Sequence, residues 1–158
     1  MDGKTNAMRI LEEAGVLLSC REIDGAFEDS SAAADSLGIP RDMLFKTLVT
    51  RGRSGAYYVF MVPAEESLDL KKGAAVFGEK FIGLIPQKEL LKLTGYIHGG
   101  CSPVGMKKAF PTVIDETAIL FERIFFSAGR VGCLAEVLCG RFIDGFGVRV
   151  ADVAEFDS

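Results

Sequence analysis

The chain has 158 residues, 49% of them hydrophobic and 25% charged. That is about one domain's worth of sequence with enough apolar material for a sizeable core, and it excludes a globally disordered chain. Eighteen Lys and Arg against 22 Asp and Glu give a net charge of −4, so no overall positive field draws the protein to DNA or RNA, and any nucleic-acid contact is local.

Thr5 or Asn6 can cap a helix whose apolar positions Ala7, Ile10, Leu11 and Ala14 recur at helical spacing before Gly15. Residues 16–23 read as a strand, and Ser30 or Ser31 as the cap of an alanine-rich helix stopped by Gly38 and Pro40. Two β-rich runs, 43–50 and 56–62, flank Arg51-Gly52-Arg53-Ser54-Gly55 and predict a hairpin. Ser67 or Asp69 can cap a helix through Leu70, Ala74 and Phe77 to Gly78, followed by a strand over 81–85. Pro86 opens a helix carrying Leu90, Leu91 and Leu93 that ends near Gly95. Residues 112–114 and 123–127 are strand-like, 129–132 turn the chain, and 133–138 with 148–153 complete a sheet. No repeat, low-complexity stretch or linker divides the chain, so one α+β domain over residues 1–158 is predicted.

The longest apolar run, 56–63, is far short of the ~20 residues that span a bilayer. The four cysteines, Cys20, Cys101, Cys133 and Cys139, contain no C-x-x-C pair, and the opening Met-Asp-Gly-Lys lacks a signal peptide's apolar segment. Both point to a reducing cytoplasm.

Several residues could carry chemistry. In the 43–50 strand, the period of two puts Lys46 on one face with Leu44 and Leu48, and Phe45, Thr47 and Val49 on the other. A lysine there either snorkels from an edge strand or stands at a pocket floor holding an anionic or carbonyl group. The segment Gly99-Gly100-Cys101-Ser102-Pro103-Val104-Gly105, followed by Lys107 and Lys108, could cradle an anion or ester with exposed backbone N–H groups, or be a simple turn. His98, the single histidine, stands three residues before Cys101, a spacing open to metal ligation or a thiol–imidazole pair. No third group is evident nearby to orient such a pair, and a zinc site would need distant cysteines. Ser127, before the turn at Gly129, can bond a ligand or cap the turn. The patterns G-x-S-x-G, G-x-G-x-x-G, Walker A and H-E-x-x-H are all missing.

The segments Phe45-Lys46-Thr47-Leu48, Leu68-Asp69-Leu70-Lys71-Lys72, Thr94-Gly95-Tyr96, the stretch from Gly99 to Lys108, Pro111-Thr112-Val113-Ile114-Asp115 and Ser127-Ala128-Gly129 follow one another as they do in the YbaK family of aminoacyl-tRNA deacylases. The chain resembles a free-standing member of that family, which is related to the editing domain of bacterial prolyl-tRNA synthetases. The resemblance implies a curved mixed β-sheet flanked by helices, and hydrolysis of the ester joining a wrong amino acid to tRNA, chiefly cysteine on proline tRNA. It implies no metal and no cofactor. Lys46 matches the family's essential lysine, which positions the ester, and Gly99 to Pro103 match its G-x-x-x-P loop, with Gly99 the lead glycine and Gly100, Cys101, Ser102 and Pro103 against the substrate. In this branch the substrate cysteine's own thiol attacks the ester, which accounts for the missing triad.

Two positions depart from the family pattern. Cys20 or Arg21 stands where a pocket tyrosine is common, and Leu134 where an aspartate is, with Glu136 at the next acidic position. The amino-acid specificity therefore stays open to Ala-tRNA(Pro) or another small aminoacyl ester. A non-catalytic module that binds an aminoacyl group, and a hydrolase using Cys101 and His98, are the readings from other classes. The partners implied are aminoacyl-tRNA, bound transiently and in a salt-sensitive way, and prolyl-tRNA synthetase, with no membrane and no DNA.

Overall fold

The computed structural model describes residues 3–23 and 30–156. Helix α1 (Asn6–Glu13) starts where Thr5 Oγ1 accepts the Met8 N–H at 3.0 Å, and its stripe of Ala7, Met8 and Leu11 is buried. Strand β1 (Leu17–Glu22) leads to α2 (Ser30–Leu37) and a short 3₁₀ turn at Arg41–Met43. The residues that would cap α2 lie outside the described side chains.

The expected hairpin is present as β2 (Phe45–Gly52) and β3 (Tyr57–Pro63), paired in register from Phe45↔Pro63 to Arg51↔Tyr57. A two-residue strand β4 (Ser67–Leu68) precedes α3 (Leu70–Val76), capped by Asp69, which accepts from the amides of Lys71 and Lys72. Next come β5 (Ile82–Leu84) and α4 (Gln87–Thr94), which ends at Gly95 with φ +89°. The remaining elements are β6 (Thr112–Asp115), a 3₁₀ turn at Glu116–Leu120, β7 (Arg123–Ser127), β8 (Cys133–Leu138), α5 (Cys139–Gly145), β9 (Arg149–Ala151) and β10 (Ala154–Glu155).

The strands form a five-stranded mixed sheet in the order β5-β2-β3-β6-β9, a three-stranded antiparallel sheet in the order β1-β8-β7, and the small pair β10-β4. Residues 133–138 and 148–153 therefore do not complete one sheet. Helix α5 separates them, and its two glycines, Gly140 and Gly145, hide it from propensity reasoning. Tertiary packing holds it: Phe142 is fully buried against Phe126, with ring centroids 4.9 Å apart.

The main core lies between the two large sheets, where Phe45, Met61, Ile114, Ile124, Phe126 and Val137 meet α1 and α5. A second layer, Phe60, Val62 and Val113, packs on α3, and α2 covers Phe125 and Leu44. Among the described residues, a parallel backbone bridge, Leu44↔Phe125, also links the two sheets beside this packing.

Asp115 pins the C-terminal segment to this core. It is fully buried, and its carboxylate accepts from Val153 N at 2.9 Å, Ala154 N at 2.8 Å, Thr117 N at 3.2 Å and Thr117 Oγ1 at 2.7 Å. Asp115→Ala leaves these donors without their acceptor, and chemical denaturation is expected to show a loss of about 3 kcal/mol.

Candidate active site

β2 is bonded to β3 along its length, but its other edge meets β5 only from Thr50 to Gly52. An antiparallel ladder turns alternate main-chain groups to opposite edges. With Gly52 N bonded to Ala56 O and Ala64 N to Leu44 O, the N–H and C=O of Thr47 point away from β3, to the side where no strand follows. A cleft of about 390 Å³ occupies that open edge.

The cleft gathers Lys46, Gly99, Cys101 and Ser127 with His98 and Leu134, from segments far apart in sequence. The five other expected residues are outside the cleft lining. Gly100 and Ser102 are buried in the loop behind, and Pro103 faces an apolar hollow of about 180 Å³ with Phe142 and Val148. Cys20 is exposed and pairs with Ala135 on the α1 side of β1. Arg21 shares the cleft's side of the sheet, opposite Leu134, which is opposite Ser127. Its guanidinium turns instead to Glu136, at 3.3 Å. Thr47, Leu90 and Val131 also line the cleft. Thr47 adjoins Lys46 in a matched segment, whereas Leu90 and Val131 carry no sequence signal.

The loop is rigidly braced. Tyr96 donates its hydroxyl to Val104 O at 2.6 Å, and Ser102 Oγ accepts from Val104 N at 3.4 Å. Gly99 has φ +86°, and a Cβ on Gly100 would lie 3.0 Å from Val131 N and 3.2 Å from the backbone of Arg130, so only glycine lets the loop seat on the β7–β8 turn. Gly100 N donates to Ile97 O at 3.0 Å, whereas the amides of Gly99, Cys101 and Ser102 have no protein acceptor among the described residues. Ser127 caps its turn by accepting from Gly129 N at 3.2 Å while lining the cleft.

Burial lowers the pKa of Lys46 below the ordinary lysine value, and the nearby Glu66 carboxylate partly offsets this. No carboxylate lies within ion-pair distance of Lys46 among the described residues. The two buried side-chain oxygens without a hydrogen-bond partner there are Thr47 Oγ1 and Glu66 Oε2: one adjoins Lys46 in the chain and the other acts on its charge. Burial pushes the Cys101 thiol up to about 12, so it stays protonated and is no nucleophile at neutral pH. Among the described residues no group of three or more His, Cys, Asp or Glu is placed to hold a metal ion, and no helix is long and apolar enough to cross a membrane.

Residues 25–139 match the family described as the aminoacyl-tRNA editing domain. The chain belongs to this family. A relative from Enterococcus faecalis, provisionally named Cys-tRNA(Pro)/Cys-tRNA(Cys) deacylase EbsC, is 43% identical over 136 residues, covering 85% of this chain and 83% of the relative. A proline–tRNA ligase from Fervidobacterium nodosum is 32% identical over 74 residues, 47% of this chain and 13% of the ligase. A crystal structure provisionally named a trans-editing enzyme for prolyl-tRNA synthetase superposes with a TM-score of 0.85 at 25% identity, covering 98% of this chain and all of that one. The α+β architecture expected from the sequence is thus that of other editing domains, and the open β2 edge and the Gly99 loop are where this member places its cleft.

Two measurements probe the site directly. Gly100→Ala should lower stability by about 1–3 kcal/mol, seen as a fall of several degrees in Tm, because the added methyl meets backbone that cannot yield. An alkylating reagent at pH 8 should modify exposed Cys20 at least about tenfold faster than buried Cys101, read by peptide mass spectrometry.

Proposed function

We propose that the protein is a trans-editing hydrolase that deacylates mischarged tRNA, with Cys-tRNA(Pro) as principal substrate. The observation that carries this reading is the meeting of Lys46 with the unbonded amides of Gly99 and Cys101 across one cleft. An aminoacyl ester is already activated, so positioning it and stabilising the charge that develops on its carbonyl oxygen is enough for catalysis. Lys46 holds the 3′ end of the tRNA and positions the ester, and the amides of Gly99 and Cys101 face the oxyanion.

The nucleophile comes from the substrate. The thiol sulfur of the cysteinyl group attacks its own carbonyl carbon, the bond to the tRNA 3′ oxygen breaks, and that oxygen takes the thiol proton. A four-membered thiolactone of cysteine leaves and is hydrolysed by water. The protonated Cys101 has no part in this step. The cleft wall of Leu44, Leu48, Leu90, Val131 and Leu134 is apolar, which favours a thiol or methyl side chain over a hydroxyl. Ala-tRNA(Pro) is the second substrate to examine, since the resemblance puts Leu134 where the family pattern has an aspartate. Residues 1–158 act as one domain in the cytoplasm, and prolyl-tRNA synthetase supplies the choice of tRNA.

Hydrolysis of Cys-tRNA(Pro), Ala-tRNA(Pro) and Ser-tRNA(Pro) tests the reading. Lys46→Ala should reduce turnover of the cysteinyl ester by about 10²-fold or more while the protein stays folded, and Cys101→Ala should keep most of it. Turnover of no ester by the wild type would leave a binding module instead. The lowered pKa of Lys46 sets the pH dependence. Its ammonium is lost as pH rises through a value below the ordinary 10.5, so the enzymatic rate above background should fall on the alkaline side, earlier than for an exposed lysine.

A further inference from the structure

The face of the β1-β8-β7 sheet that opens into the cleft continues beyond it. Ile23, at the cleft wall, is followed two residues back by Arg21, about 7 Å further along the strand, and Ser127 is followed four residues back by Arg123, about 13 Å away. The two arginines converge on Glu136, whose side chain is 6% exposed. Arg21 Nη2 reaches Glu136 Oε1 at 3.3 Å and Arg21 Nε donates to Ser19 Oγ at 3.1 Å; Ser19 donates to Glu136 Oε1 at 2.6 Å, and Arg123 Nη1 is bonded to Glu136 Oε2. Both guanidiniums stand over the Phe125 ring, 5.9 and 6.0 Å from its centroid.

Burial pushes the Glu136 carboxyl up, but the Ser19 and Arg123 hydrogen bonds and the two arginine charges outweigh it and hold it below the usual range. The cluster therefore carries two positive charges and one negative. The other cations with a described ion pair, Lys4, Arg41, Lys72 and Arg130, each face at least one carboxylate of their own, and the adjacent Glu22 is turned to Arg130. On a protein of net charge −4, the described residues thus place a surplus cation beside the cleft. The side chains of Arg21 and Arg123 are 40% and 48% exposed, and each guanidinium has five donors of which only one or two are used.

We propose that Arg21 and Arg123, held apart and oriented by Glu136, form a phosphate subsite for the sugar–phosphate backbone of the tRNA 3′ end as it leaves the cleft. The proposal rests on the deacylase reading for the identity of the ligand. The guanidinium fork suits phosphate oxygens, and a buried carboxylate fixes both forks before the RNA arrives, so little side-chain freedom is lost on binding.

The test uses an uncharged acceptor-stem minihelix ending in CCA, titrated by fluorescence anisotropy over a range of salt. Arg21→Gln and Arg123→Gln should each weaken binding several-fold at 50 mM salt, and flatten the log–log salt dependence by about 0.7 for each single-strand phosphate that is no longer neutralised. Glu136→Gln, which removes the negative charge but keeps a hydrogen-bonding side chain, should lower Tm yet bind the minihelix no more weakly than the wild type. A cluster that only covers the sheet predicts otherwise: the arginine variants would bind with the wild-type affinity and salt slope, or Glu136→Gln would weaken binding as much as they do. Either result, or no measurable binding by the wild type at the lowest salt, overturns the subsite. Cysteinyl adenosine, which has no phosphate, separates the two proposals: Arg123→Gln should hydrolyse it within twofold of the wild type. A wild type that leaves this ester intact but binds RNA through the arginines removes the deacylase reading and keeps the subsite.

Discussion

Half of β2 has a hydrogen-bonding neighbour on one side only, and the cleft follows from that. β3 satisfies one edge throughout, while β5 reaches only the last residues, Thr50 to Gly52. The free half of the strand lies where the two sheets meet, beside the parallel backbone bridge between Leu44 and Phe125. An uncovered edge is a liability in most sheets. Here the Gly99 loop, the β7–β8 turn and α4 stand around it and leave room for a ligand in place of a sixth strand. Lys46 belongs to that edge, which is how a lysine can occupy an otherwise apolar strand.

Desolvation then decides which groups can act. The same burial that weakens the charge on Lys46 keeps the Cys101 thiol protonated. Among the described residues Lys46 has no carboxylate within ion-pair distance, and the Cys101 thiol in the same cleft is held in its neutral form. The unpartnered oxygens of Thr47 and Glu66 and the unbonded loop amides show the same economy. At the cleft itself, Thr47 Oγ1 and the Gly99 and Cys101 amides have no protein partner among the described residues.

Local elements were largely legible in the chain. Thr5, Asp69 and Gly95 mark helix ends because capping is a matter of neighbouring residues, and Gly52 with Gly55 marks the hairpin for the same reason. α5 was not legible: seven residues with two glycines fold as a helix because Phe142 fills a hole in the core, a contact no local pattern encodes. The partition of the strands into separate sheets was equally hidden, since pairing partners such as β1 and β8 lie more than a hundred residues apart.

The sequence by itself determined the residue types that matter: a lysine in an apolar strand, a glycine-rich loop ending in proline, a serine before a turn, and the order of segments shared with the editing-domain family. Which of them meet depends on how the strands pair and the loops seat. The fold brings Lys46, Gly99, Cys101 and Ser127 to one cleft, turns Cys20 to the opposite face, and sets Pro103 behind the loop. It also joins Arg21 and Arg123 through Glu136, a relation with no trace in spacing. The reason is physical. Chemistry depends on distance and on exclusion of water, and both are set by how strands pair and helices cover them, which no short stretch of chain can specify alone.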